Sequence, residues 1–216
     1  ARLIRDYCDE TIDEVFIDDK KFFDDFIGAK KLFMPHHKVK TEHHSDLTPI
    51  FSKHKIERQV QTVYKRNINL PSGGNIVIDS TEALVSIDVN SARSTKGSDI
   101  EDTAQNTNIE AAIEILTQLR LRDIGGLIVI DFIDMMSINS QKNVMRKVAE
   151  YAKKDKAKIQ FARISKFGLM ELSRQKLKSS IIQNNYENCP TCGGTGQIKS
   201  LSSMAISLLR IIEEEA

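Results

Sequence analysis

The sequence predicts an α/β fold, and three observations predict it. Short runs of branched apolar residues, such as Asn75-Ile76-Val77-Ile78-Asp79 and Gly126-Leu127-Ile128-Val129-Ile130-Asp131-Phe132, have the length and composition of strands. A longer stretch between them, residues 102–122, repeats apolar residues at helical spacing. Glycine-bearing turns separate the two kinds of segment. Strands that alternate with helices pack as a sheet layered with helices.

In chain order, the first third mixes short strand-like runs, including Glu14-Val15-Phe16-Ile17, with helical stretches. Residues 35–48 read as a loop carrying His36, His37, His43 and His44. Paired histidines without nearby cysteine or fixed ligand geometry lead us to expect a solvated loop rather than a zinc site. Residues 56–66 predict a helix, Leu70-Pro71-Ser72-Gly73-Gly74 a turn, and residues 75–79 a strand. A strand over 83–90 follows, then a glycine-containing loop over 91–97. The helix over 102–122 places Ile109, Ala112, Ile113, Leu116 and Leu119 on one face, which fits packing on a sheet. A turn at Gly125-Gly126, a strand over 127–132, a helix over 140–153 and a strand over 159–164 complete the alternation. A last helix starts near residue 201, with Met204, Leu208 and Ile211 or Ile212 as its apolar stripe.

Composition narrows the function classes. The chain has 216 residues, 31 Lys plus Arg against 30 Asp plus Glu, and 40% hydrophobic residues, a globular balance. A net charge of +1 removes the argument from a strongly basic chain, but the charge is unevenly placed. Residues 1–34 hold nine acidic against six basic residues, whereas 142–178 hold twelve basic against three acidic. That basic stripe is either a solvated helix face or a polyanion-binding surface. Three cysteines and no Trp argue against a disulfide-stapled secreted protein and fit a reducing cytoplasm. No apolar run approaches the ~18 residues needed to span a bilayer, so no transmembrane segment is expected. The first residue is not Met and the last residues read as mid-helix, so we expect a segment of a longer protein.

Two strands carry carboxylates at their ends. In Ile87-Asp88-Val89-Asn90, alternation puts Asp88 and Asn90 on one face, shared with Leu84 and Ser86. The strand over 127–132 also reaches Asp131 only near its end. Ligands of open α/β sheets sit beyond the carboxyl ends of strands, where Asp88, Asn90 and Asp131 would surround one divalent ion. Hard oxygen ligands of this number suit Mg²⁺, which activates water and offsets charge on a phosphodiester. The alternative is that each Asp simply caps the following turn. Asp134 competes with Asp131 on spacing alone. Arg93 and Lys96, in the loop after Asn90, add cations suited to phosphate contact.

Cys189-Pro190-Thr191-Cys192-Gly193-Gly194-Thr195-Gly196 has the spacing of a zinc knuckle, with glycines that let backbone N–H groups turn toward thiolates. Two cysteines make half a tetrahedral Zn²⁺ site. The histidines of residues 36–44 would complete it within one chain; a second copy would complete it at a two-fold interface. A redox-active or merely buried pair is the remaining alternative.

Several stretches together resemble the catalytic region of the ribonuclease E/G family of bacterial endoribonucleases. They are residues 70–74, Ile78-Asp79-Ser80-Thr81-Glu82-Ala83-Leu84, Ile87-Asp88-Val89-Asn90-Ser91-Ala92-Arg93, Asn106-Thr107-Asn108, residues 119–135, and Cys189-Pro190-Thr191-Cys192. The match is dense over 56–216 and looser before it. The resemblance implies a partial ribonuclease-H-like subdomain over 1–65, and a deoxyribonuclease-I-like catalytic subdomain over 66–186. It further implies a zinc-link over 187–198 and the start of a small dimerisation domain over 199–216. It assigns Asp88 and Asp131 to the catalytic Mg²⁺, choosing Asp131 over Asp134. Asn90 then orients the attacked phosphate or a water on the metal. Cys189 and Cys192 would share Zn²⁺ with the same pair of a second chain, giving a homodimer and, in the full-length protein, a tetramer.

The activity implied is hydrolysis of single-stranded, AU-rich RNA to 5′-phosphate and 3′-hydroxyl ends, in processing of ribosomal and transfer RNA and in messenger RNA decay. Arg93, Lys96 and Lys158 are the expected phosphate contacts. The expected location is the bacterial cytoplasm, peripheral to the inner membrane through regions outside this segment. An oligonucleotide-binding fold and a 5′-monophosphate pocket are expected before the segment, and a C-terminal scaffold after it. The resemblance does not choose between the E and G branches. The competing expectation is a non-catalytic, RNA-binding and zinc-linked assembly module of a larger ribonuclease.

Overall fold

The computed structural model describes residues 8, 12–33, 39–91, 100–177, 187 and 189–215, and the chain divides into two compact units, 1–65 and 66–216. Among the described residues no helix is long and apolar enough to cross a membrane.

In the first unit, β1 (Glu14–Ile17) and β2 (Lys40–His43) pair in parallel, which requires a crossover, and α1 (Lys20–Phe33) supplies it. Phe26 of α1 and Ile17 of β1 are buried together, with Cys8, Val15 and Phe23 packed around them. Two short helices, α2 (Ile50–Lys53) and α3 (Glu57–Val63), follow. The loop expected over 35–48 is corrected here. Residues 40–43 form β2, and His44 is buried with its Nε2 bonded to the Thr48 carbonyl at 2.7 Å. The His43 ring lies 5.5 Å from Phe23, edge on. These two histidines are packing residues, and their polar flanks concealed that; His36 and His37 lie outside the described residues.

The second unit is built on a six-stranded sheet. Its strands are β3 (Asn67–Asn69), β4 (Asn75–Ser80), β5 (Val85–Asn90), β6 (Gly126–Asp131), β7 (Ile159–Phe161) and β8 (Leu169–Arg174), in the order β3-β4-β5-β6-β8-β7. The α/β class is therefore as expected, while β3 carries a single apolar residue and β8 is broken by Glu171 and Arg174, so neither stands out in the sequence. Successive side chains point to opposite faces, and one face collects the core: Ile76 and Ile78, Ile87 and Val89, Ile128 and Ile130, Met170 and Leu172. Two helices, α4 (Ile100–Leu121) and α5 (Ile138–Ala152), add Ala111, Ile115, Leu119, Val144 and Val148 to the same cluster. The buried face of α4 centres on Ala111, Ala112 and Ile115, rotated from the expected stripe, with Ile109 packed at its edge.

Polar groups set the helix ends. Ser137 caps α5, its hydroxyl accepting from the N–H groups of Asn139 and Ser140. After α4, Asp123 takes a positive φ of 49° while the Ile124 N–H bonds the Leu119 carbonyl, closing the last turn. Arg174 of β8, 2% exposed at its side chain, reaches Asp123 at 3.0 Å and Asp155 at 2.8 Å. One of the twelve basic residues of the 142–178 stripe thus belongs to the interior. A last helix, α6 (Leu201–Glu215), leaves Met204, Leu208, Ile211 and Ile212 exposed.

Candidate metal centre and nucleic-acid interface

The candidate site lies on the open face of the sheet. Because α4 carries the chain back to the start of the sheet, β6 runs parallel to β5, and register places Asp88 directly beside Asp131. The parity that buries Ile87 and Ile130 turns both carboxylates outward, at the carboxyl ends of adjacent strands. Asn90 shares that face, and its Nδ2 donates to Asp88 Oδ2 at 2.7 Å. The three residues named from the sequence are thus brought together.

Asp134 stands nearby as a third carboxylate. Burial, and then the charges of Asp88 and Asp131's other neighbour Asp134, push the Asp131 carboxyl above its ordinary range. Among the described residues, no Lys or Arg forms an ion pair with any of the three. Uncompensated carboxylates beside an amide oxygen are a donor set of the hard kind that divalent cations take. Among the described residues no group of three His, Cys, Asp or Glu side chains is placed to hold a metal ion, so the candidate donors are the carboxylate pair and Asn90.

Two neighbours hold this geometry: Asn108, named from the sequence only within the Asn106-Thr107-Asn108 stretch and without a role, and Gly168, not named from it. Asn108, fully buried in α4, donates through Nδ2 to the Ile133 carbonyl at 2.8 Å and accepts from the Ile133 N–H at 3.0 Å. It fixes the backbone between Asp131 and Asp134. Gly168 closes the other side. A Cβ there would lie 3.2 Å from the Phe132 carbonyl oxygen, 3.3 Å from Asp134 Oδ1 and 3.8 Å from Asp131 Oδ1, and its φ is +79°. The Asn-Thr-Asn string and the Phe-Gly pair were the signals available for them. Gly74, in the turn after β3, packs similarly close: a Cβ would approach the Asn90 carbonyl oxygen to 2.5 Å.

Lys158 is exposed but sits apart. It precedes β7 at the end where Ile159 pairs with Arg174, and Arg174 pairs with Gly126 at the start of β6. Six residues along the strands, roughly 20 Å at the usual rise, and the intervening β8 separate it from Asp131. Arg93 and Lys96 lie outside the described residues.

The cysteine motif forms a separate feature. Gly193 donates to the Cys189 carbonyl at 2.8 Å, and the Gly196 N–H reaches Cys192 Sγ at 3.3 Å. Gly193, Gly194 and Gly196 all adopt positive φ, which lets these N–H groups turn inward. Backbone N–H groups of Cys192 and Thr191 draw the Cys189 thiol below its ordinary pKa, toward the thiolate a metal takes. Cys8, by contrast, packs within the first unit.

The "Ribonuclease E/G family" model matches residues 1–177, and a "RNase E/G, Thioredoxin-like domain" model matches 188–216. Ribonuclease E of Haemophilus influenzae is 49% identical over 216 residues, covering 100% of this chain and 23% of that protein. Ribonuclease E of Escherichia coli is 49% identical over 219 residues, covering 100% of this chain and 20% of the relative. Ribonuclease G of Escherichia coli is 33% identical over 211 residues, covering 98% of this chain and 43% of the relative. The chain spans less than half the length of each of these three relatives. With a family model matched along most of its length and these relatives aligned across it, the chain belongs to the ribonuclease E/G family.

Proposed function

We propose that this chain carries the cleavage centre of a Mg²⁺-dependent endoribonuclease that hydrolyses single-stranded, AU-rich RNA to 5′-phosphate and 3′-hydroxyl ends. The observation that carries the reading is the register of Asp88 beside Asp131, with Asn90 bonded to Asp88. Asp88 and Asp131 would hold Mg²⁺, which offsets the charge that builds on the phosphodiester and acidifies water. Asn90 fixes the Asp88 carboxylate in one orientation and presents its own amide to a phosphate oxygen. Water oxygen adds to phosphorus, the bond from phosphorus to the 3′ oxygen breaks, and that oxygen leaves with a proton. Arg93 and Lys96, directly after Asn90 in sequence, contact the neighbouring phosphates, and Lys158 contacts the strand several nucleotides away.

Residues 66–186 are read as a deoxyribonuclease-I-like catalytic subdomain, and residues 1–65, with the parallel pair joined through α1, as part of a ribonuclease-H-like one. Residues 187–198 form a zinc-link shared with a second chain, and 199–216 begin a dimerisation domain. The thiolate-favouring knuckle and the exposed apolar residues of α6 support that part. Higher identity to the ribonuclease E relatives than to the G relative supports the E branch, and with it roles in RNA processing and decay in the bacterial cytoplasm.

The test is cleavage of a short AU-rich oligonucleotide by the full-length protein with Mg²⁺ or with EDTA. Asp88→Asn and Asp131→Asn should each abolish cleavage while RNA binding persists. Unchanged rates in both, or full activity in EDTA, would sink the reading and favour a non-catalytic assembly module.

A further inference from the structure

The turn between β7 and β8 carries an aromatic side chain that the core does not use. Ser165 and Leu169 close the hairpin, with the Ser165 N–H bonded to the Leu169 carbonyl at 2.8 Å. The Gly168 N–H returns to the Ser165 carbonyl at 3.1 Å, and the Phe167 N–H to the Ser165 hydroxyl at 3.2 Å. A turn of this kind, ending in a residue of positive φ, is a standard three-residue hairpin loop. Its central positions need no aromatic residue, yet Phe167 occupies one and is 71% exposed.

A single exposed Phe is ordinary on a protein surface. Three further facts make this one different. Gly168, the next residue, is the position whose Cβ would touch Asp134 and approach Asp131, and its carbonyl accepts from the Phe132 N–H at 3.2 Å. Consecutive Cα atoms are about 3.8 Å apart, so Phe167 sits at the rim of the carboxylate pair. Its backbone is pinned by the hydrogen bonds above, so the ring is offered from a fixed point. Lys166 places its Nζ 5.1 Å from the Phe167 ring centroid, pairing a cation with the aromatic face. An aromatic ring beside a cation is the combination that binds single-stranded nucleic acid, the ring stacking a base and the cation meeting the backbone.

We propose that Phe167 is a stacking platform for the nucleobase next to the phosphodiester at Asp88 and Asp131, with Lys166 meeting that nucleotide's phosphate. The proposal rests on the reading of the carboxylate pair as an RNA-cleaving centre. Stacking tolerates any base, so Phe167 holds the strand in register without selecting its sequence.

The test uses the full-length protein and short single-stranded RNAs carrying 2-aminopurine at successive positions, with Asp131→Asn present to keep the RNA intact. Binding should change 2-aminopurine emission at one position beside the cleavage site. Phe167→Ala should remove that change and weaken binding about ten-fold, while Phe167→Trp should restore both. An abasic nucleotide at that position should weaken binding by the same factor and make Phe167→Ala silent. The proposal is overturned if Phe167→Ala binds like its parent, or if its loss is undiminished on the abasic RNA, the sign of a structural defect. Cleavage by the Asp131→Asn protein would count against the carboxylate reading alone, because the emission change is read on association, before product accumulates.

Discussion

Asn108 and Ile133 exchange two hydrogen bonds across 25 positions of sequence, one from the amide to the Ile133 carbonyl and one back from the Ile133 N–H. Both amide atoms are spent on a backbone that lies between two carboxylates of the candidate site. Asn108→Ala would leave a backbone donor and acceptor without partners in a half-buried place. We expect a loss of about 2 kcal/mol of stability and a fall in RNA cleavage beyond what that loss explains. Denaturant titration alongside cleavage rates at a temperature where the variant is fully folded checks both.

Gly168→Ala should separate stability from activity. A side chain at this φ costs about 1 kcal/mol, and the new methyl would press on Phe132 O and Asp134 Oδ1. The expected outcome is a modest drop in melting temperature with a cleavage rate lowered by far more. A rate equal to the parent's would show that the carboxylates tolerate displacement.

The Arg174 cluster sets an acid limit. Burial pushes the Asp155 carboxyl up, but the Arg174 guanidinium and the Ala157 N–H outweigh it and hold the pKa below the ordinary carboxylate value. A carboxyl whose folded pKa is depressed contributes stability above its unfolded pKa, about 3.9, and loses it as pH falls through the folded one. Stability should therefore decline as pH drops below about 4, and Asp155→Asn should flatten that part of the curve. Because Asp155 is 6% and Arg174 2% exposed, the same variant should cost about 3 kcal/mol at neutral pH. Urea titrations of parent and variant between about pH 3 and about pH 7 provide the comparison.

Cys189→Ser tests the proposed zinc-link in the full-length protein. The expected result is loss of bound zinc together with a shift of the dimer toward monomer, read by metal analysis and by mass in solution. A dimer that keeps its zinc would contradict the shared site.

Asp88, Asn90 and Asp131 were legible because strand alternation and strand ends are local properties, written in each run of six or seven residues. Asn108 was not, since its partner is far along the chain and nothing local marks an Asn in a helix as a clamp. The strand at residues 40–43 was hidden by Lys40 and Glu42, whose alternate positions face outward on a short pair. β8 was missed for a related reason: Arg174 reads as one more surface cation until Asp123 and Asp155 are seen around it. The chemistry of the Phe167 turn likewise depended on what Gly168 touches, a fact of tertiary structure.

β5 and β6 are the parallel pair in a sheet whose other neighbours run antiparallel. The 22-residue α4 makes that direction possible, and a reversed β6 would leave Asp131 at the opposite rim. The two carboxylates are therefore strangers until the crossover closes, a non-local pairing across the whole of α4. A chain emerging from synthesis with β5 formed and β6 still undocked has no paired acids to offer. The candidate site is thus a product of the crossover, and neither strand holds it alone.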